Sequence, residues 1–174
     1  MRALVLVVAL TSPALAEGPG LPFERTGRAV IETSLDIAAA SLANVLVLSR
    51  DAAWAEGTRP MPSHIRQALL EWYPAELLDS IEYRTGIAEN STLQALAIRH
   101  GDAVAITLID TIVFADPHDV ETNIPLWAHE VKHVEQFRRW GLMGFARAYV
   151  RDHQAVEAEA YAIGDTVRAT LGGG

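Results

Sequence analysis

The residues best suited to chemistry in this chain form one short motif, His129-Glu130-Val131-Lys132-His133. In a helix, residues four apart lie on the same face, so the two imidazoles can bind one metal ion together. Neutral imidazole is a common ligand of tetrahedral zinc. Glu130 follows the first histidine and would lie beside the metal, where it could act as the general base for a zinc-bound water. The motif therefore predicts zinc-dependent hydrolysis.

The residues around the motif are mostly apolar, which is typical of a buried helix. They are Ile124, Leu126, Trp127, Ala128, Val131 and Val134. Burying two histidines and a glutamate without partners would be costly, and a bound metal would remove that cost. The alternative is an ordinary helix that carries two histidines by chance.

A hydrolytic zinc site needs a third protein ligand and an open position. Glu157 and Glu159 lie on a later helical stretch, and Gly141 and Gly144 allow the chain to turn back before it. Two antiparallel helices could then bring Glu157 over the histidine pair. The alternative is that both glutamates are ordinary solvated charges.

The motif followed by Glu157-Ala-Glu-Ala resembles the gluzincin arrangement, an HExxH motif plus a downstream glutamate. More widely, residues 61–163 resemble a bacterial domain family of unknown function with a zincin core, associated with extracellular contractile injection systems. The similar stretches are residues 105–114, 126–137, 141–149 and 156–162. The resemblance implies a zinc peptidase fold without a known substrate.

The gluzincin resemblance implies that Glu157 is the third ligand, as the first residue of an ExxxD segment. Tyr161 stands where that segment has Asp, which leaves Glu159 open as the alternative ligand. The Tyr161 hydroxyl, Asp165 or a backbone carbonyl could replace that Asp. We expect the Tyr161 hydroxyl to do so by orienting a ligand or binding the oxyanion. Tyr149 is a second candidate for the oxyanion, and Gln136 is expected to be structural.

The N-terminus has the pattern of a secretory signal peptide, with Arg2, an apolar run and the ending Ala14-Leu15-Ala16. We expect cleavage after Ala16 and export to the periplasm or the medium. Residues 17–27 then read as a linker, 28–171 as a single domain and 172–174 as a tail. No later stretch is expected to span a membrane, because charged residues interrupt every apolar run.

The chain has no cysteine, so packing must hold it together without disulfides, and a bound metal would add to that stability. Its net charge is −8, which becomes −9 when Arg2 leaves with the signal peptide. An acidic balance argues against nucleic acid or an anionic membrane as partner. The expected partner is a peptide or protein substrate, without stable membrane insertion after cleavage, and the oligomeric state is left open.

Helical patterns dominate, with helices expected over residues 28–50, 63–72, 75–78, 91–97, 124–140, 142–150 and 153–171. Short strands are expected at residues 81–83, 104–109 and 111–114, and a polar loop over 115–123. This predicts an α+β fold, mostly helical and zincin-like, with a small sheet beside the HExxH helix. Residues 104–114 could pair with a substrate backbone or simply underlie the helix.

Three functions fit these patterns. The first is an exported zinc metallopeptidase that uses His129, His133 and Glu157 as ligands and Glu130 as general base. The second is a non-catalytic zinc-binding or assembly module on a peptidase-like fold. The third is metal-dependent hydrolysis of another bond, such as a peptidoglycan amide.

Overall fold

The computed structural model describes residues 22–86 and 104–173. Within them the helices are α1 (Pro22–Ala55), α2 (Ser63–Leu69), α3 (Ala75–Leu78), α4 (Pro117–Thr122) and α5 (Ile124–Gly172), and the strands are β1 (Arg59–Pro60), β2 (Glu82–Thr85), β3 (Ala105–Leu108) and β4 (Thr111–Phe114). The predicted α+β class is confirmed. The signal peptide and the helix expected over residues 91–97 lie outside the described residues.

The described strands form one small mixed sheet in the order β1-β2-β4-β3. β2 and β4 run parallel, whereas β3 and β4 form an antiparallel hairpin that pairs Thr107 with Ile112. The hairpin turns at Ile109 and Asp110, where Ile109 takes a φ of 63°. β3 therefore lies at one edge of the described sheet.

α5 is a helical run with two breaks, at Gly141 (φ 70°, ψ 167°) and Asp152 (φ −156°, ψ 81°). These breaks divide it into α5a (residues 124–140), α5b (142–151) and α5c (153–172). Gly141 takes a backbone conformation that glycine adopts far more readily than other residues. The break expected from that glycine is therefore present, and it lets α5c return alongside α5a.

The main hydrophobic core lies between α5a, the sheet and the short helices α2 and α3. Its largest fully buried members are Trp127, Phe114, Ile65, Leu69, Leu78, Ile81, Ile112 and Val120. Tyr83, Phe114 and Trp127 pack ring against ring at centroid distances of 4.5 to 6.4 Å. Aromatic packing of this kind fixes the position of the helix that carries the motif.

α1 packs one face on the rest of the domain and leaves large apolar side chains exposed on another. The Arg50 guanidinium makes two hydrogen bonds to the Asp110 carboxylate, at 2.9 and 2.8 Å. Near the other end of α1, Glu32 pairs with Arg147 and Arg151 of α5b. These contacts attach α1 to both the hairpin turn and α5b.

Three expectations about individual segments are wrong. Residues 22–27, assigned to a linker, form the first turns of α1, and residues 117–122, assigned to a loop, form α4. In addition, residues 29–55 are long enough, and include an 18-residue window apolar enough, to cross a membrane by length and composition, although no such stretch was expected. The charged residues in α1 are too few to keep its hydropathy below that of a membrane-crossing helix.

Candidate metal site

The fold fixes the motif helix just before the first histidine. The buried Tyr73 hydroxyl donates to the Ala128 carbonyl oxygen at 2.7 Å, and the Trp127 indole nitrogen donates to the Val120 carbonyl oxygen at 3.0 Å. Both bonds lie immediately before His129. Buried hydrogen bonds of this kind set the rotation of a helix as well as its depth. His129, Glu130 and His133 are consequently held inside the domain.

The close approach of α5c to α5a brings Glu157 to the two histidines. Gly164 makes this approach feasible, because a Cβ there would lie only 3.1 Å from the Pro125 carbonyl oxygen. The two Nε2 atoms are 3.3 Å apart, and Glu157 Oε2 lies 3.4 Å from that of His129 and 3.5 Å from that of His133. Three candidate ligand atoms thus form a nearly equilateral triangle.

The three side chains fit a bound metal ion. They are only 5–6% exposed, and Glu157 Oε2 has no hydrogen-bond partner although both Nε2 atoms lie within 3.5 Å. A buried carboxylate oxygen without a partner is costly. A cation at the centre of the triangle would satisfy it. His129, His133 and Glu157 could therefore hold a metal ion together.

Gln136 contacts the His133 ring on the side opposite the triangle. The His133 Nδ1 atom lies 2.9 Å from Gln136 Oε1, so an N–H there donates to the amide oxygen. In the neutral ring, this bond leaves Nε2, on the other side of the ring, free of a proton and directed at the triangle. Gln136 Nε2 in turn donates to the Val156 carbonyl oxygen of α5c at 2.9 Å.

Glu130 is bound by the edge strand. The Thr107 hydroxyl of β3 lies 2.7 Å from Glu130 Oε2 and 3.0 Å from its backbone oxygen, so its single proton is shared between them. Glu130 is 2% exposed and Thr107 is 7% exposed. The carboxylate is therefore held in one orientation between the strand and the motif helix.

The two glutamates considered as third ligand have different surroundings. Glu159 faces outward, and its carboxylate accepts hydrogen bonds from Arg139 at 3.0 and 2.9 Å and from Gln136 at 3.3 Å. Only Glu157 joins the histidines. The helical geometry explains this, because residues two apart on a helix point about 200° apart.

Two tyrosines border the site. The Tyr149 hydroxyl donates to Glu157 Oε1 at 3.3 Å, so it contacts the carboxylate oxygen that faces away from the triangle. The Tyr161 ring packs edge-on against the His129 ring with centroids 4.8 Å apart and is 36% exposed. Tyr161 therefore lies beside a candidate ligand, at the side of the site that solvent reaches.

Without a metal, His133 and Glu157 shift each other's pKa values in opposite directions. Burial alone would lower the pKa of His133, but the Glu157 carboxylate outweighs it and raises that pKa to about 8. Burial would raise the pKa of Glu157, yet the two imidazoles lower it to about 2. Without a metal, a protonated imidazole next to an ionised carboxylate is therefore the favoured state near neutral pH.

Sequence reasoning did not identify two residues that contact the site. Thr107 is far from Glu130 in the chain, and no local pattern connects a strand threonine to a helix glutamate. Gln136 was expected to be only structural, although its position three residues after His133 on one helix placed it within reach of that ring. That spacing was the available signal.

Residues 60–141 match the family model of the eCIS core domain. No curated protein and no solved structure matches the chain. The match begins in β1 and ends at the Gly141 break, so it includes the motif, Thr107 and Gln136 but not Glu157. The resemblance to the injection-system-associated family is confirmed for this segment. The segment from 142 to 163 lies outside it.

Proposed function

We propose that this chain is an exported zinc-dependent metallopeptidase. The observation that carries the proposal is the triangle of His129 Nε2, His133 Nε2 and Glu157 Oε2, with edges of 3.3, 3.4 and 3.5 Å. Tetrahedral zinc with bonds of 2.0–2.1 Å needs its ligand atoms about 3.3–3.4 Å apart. Octahedral magnesium at the same bond length needs about 2.9 Å and prefers oxygen ligands. The triangle and its two imidazoles thus favour zinc.

The residues of the site supply the remaining chemistry. Zinc held there would act as a Lewis acid and would lower the pKa of water. Glu130 would take a proton from the water that attacks the carbonyl carbon, and would pass that proton to the amine nitrogen as the C–N bond breaks. Thr107 would keep the Glu130 carboxylate in place through the bond at 2.7 Å. Tyr161, beside His129, would donate its hydroxyl to the developing oxyanion.

Turnover by two variants tests this proposal. Glu130→Gln keeps the size of the side chain but removes the base, so cleavage of a mixed-sequence fluorogenic peptide pool should fall at least about 100-fold. Zinc affinity should stay within about threefold of the wild type. Glu121→Gln, an exposed change on α4, is the matched control and should leave cleavage unchanged. Equal turnover in Glu130→Gln and the wild type would contradict the role of Glu130.

One observation favours a second function, a non-catalytic metal-binding module. The three candidate ligands are 5–6% exposed and Glu130 is 2% exposed, so the site offers a polypeptide very little accessible surface in this conformation. If this function holds, zinc raises the melting temperature of the protein, but neither the wild type nor Glu130→Gln cleaves any peptide. A peptidase instead requires the site to open for its substrate.

Export is part of the proposal and has its own test. The charged start, the apolar run and the Ala-Leu-Ala ending support cleavage after Ala16. N-terminal sequencing of protein recovered from the periplasm or medium should begin at Glu17. Recovery of protein that still begins at Met1 would contradict cleavage.

A further inference from the structure

We infer that Gln136 is a positioning residue that joins the orientation of His133 to the docking of the helix carrying Glu157. This inference rests on the proposed metal site. Gln136 is fully buried, at 0% exposure, and its amide makes contacts in two directions. Its oxygen accepts from the His133 ring and its nitrogen donates to α5c. A residue that only filled space would have neither contact.

The direction of the amide determines both contacts. Gln136 Oε1 lies 2.9 Å from His133 Nδ1, and Gln136 Nε2 lies 2.9 Å from the Val156 carbonyl oxygen. If the amide were flipped, its N–H would meet the His133 N–H and its oxygen would meet the carbonyl oxygen. The α5c backbone therefore holds the amide in the orientation that places the proton of His133 on Nδ1.

The same bond positions the third ligand. Val156 immediately precedes Glu157, so the peptide unit joining these residues is the one that Gln136 holds. Docking of α5c thus fixes Glu157 and, through Gln136, selects the His133 tautomer that has its lone pair on Nε2. His133 and Glu157 therefore become able to bind a metal together. The first lies in the segment similar to the eCIS core domain, and the second lies on a helix outside that segment.

Gln136→Met tests the inference, because it conserves length and volume but removes every polar contact of the amide, including those with His133 and Val156. Zinc affinity, measured by chelator competition, should fall about 10- to 100-fold, as is typical when the partner of a ligating histidine is lost. In the metal-free protein above pH 9, imidazole ¹⁵N NMR should show the His133 proton on Nδ1 in the wild type. That preference should be lost in Gln136→Met. Unchanged affinity, or an unchanged tautomer, would overturn the inference.

Gln136→Glu keeps an acceptor for His133 but removes the donor to the Val156 carbonyl oxygen, so it tests the two contacts separately. It also provides the test if Gln136→Met does not fold. A carboxylate still accepts from His133 Nδ1, so zinc affinity should stay within about threefold of the wild type while thermal stability falls. A loss of affinity comparable to that in Gln136→Met would overturn the role as acceptor. Glu159→Ala removes the hydrogen bond from Gln136 to Glu159 but keeps those with His133 and Val156, so this variant should bind zinc normally. If the wild type binds no zinc, the proposed function fails, and the NMR measurement still tests Gln136.

Discussion

Glu157 and Glu159 stand two residues apart, yet only the first is close to the histidines. The Glu157 carboxylate lies 3.4 and 3.5 Å from the two Nε2 atoms, whereas Glu159 pairs with Arg139 at the surface. We predict that Glu157→Ala lowers zinc affinity more than about 100-fold, because loss of a mere neighbour of a ligand already costs 10–100-fold. Glu159→Ala, its matched control, should stay within about threefold. The reverse order, measured by chelator competition, would identify Glu159 as the ligand.

Tyr161 contributes a ring and a hydroxyl, and these can be tested separately. The ring contact with His129, at 4.8 Å, persists in Tyr161→Phe, while the hydroxyl is lost. If the hydroxyl orients the ligand or binds the oxyanion, peptide turnover or zinc affinity should fall about tenfold or more. Wild-type values of both would mean that Tyr161 only packs against the ring.

The charges of the metal-free site make metal uptake depend on pH. A metal must displace the proton that His133 holds up to its pKa of about 8. Zinc affinity should therefore rise about tenfold per pH unit from pH 6 to 8 and then level off, as measured by competition titration.

The stability of the protein without metal should fall over the pH range in which its zinc affinity rises. The pKa of His133 is raised above its ordinary value of 6.5, so its attraction to Glu157 stabilises the fold fully below pH 6.5 and is lost as the pH rises through 8. The melting temperature without metal should fall over that interval. A metal affinity independent of pH between 6 and 8 would contradict this account of the site.

Among the elements, the long helical run depends on the backbone of Gly141. A Cβ there meets nothing within 4 Å, so Gly141→Ala changes only backbone strain at φ 70°, ψ 167°. Strain of this kind costs about 1–3 kcal/mol. The melting temperature should fall by about 2–10 °C for a chain of this size. Gly172→Ala, where a Cβ is equally free and the φ is not positive, is the control and should cause no loss.

The elements also show what the sequence could predict. Apolar periodicity and the glycine at 141 predicted α5a, α5b and α5c, because these features act within a few residues of one another. The loop expected over residues 115–123 was wrong, since Asp116 followed by Pro117 has the pattern of a helix start: the Asp116 side chain accepts from the His118 backbone N–H. The Glu130–Thr107 hydrogen bond joins a helix to a strand 23 residues away in the chain, so it could be recognised only once the fold was known.

At the scale of the whole molecule, the candidate site lies between the segment similar to the eCIS core domain and the last helical segment, α5c. The segment similar to the eCIS core domain supplies His129 and His133, and α5c supplies Glu157. α1 holds α5b through the ion pairs of Asp36 with Arg147 and of Glu32 with Arg151. A bound metal would connect α5a and α5c directly, so metal binding and folding should stabilise each other.

The metal content of the purified chain tests the central claim most directly. We predict about one zinc per chain by elemental analysis after purification without chelators, or after zinc titration followed by dialysis. The variant carrying both His129→Ala and His133→Ala should hold none under the same conditions. A wild-type protein that remains metal-free and takes up no zinc on titration would contradict the account.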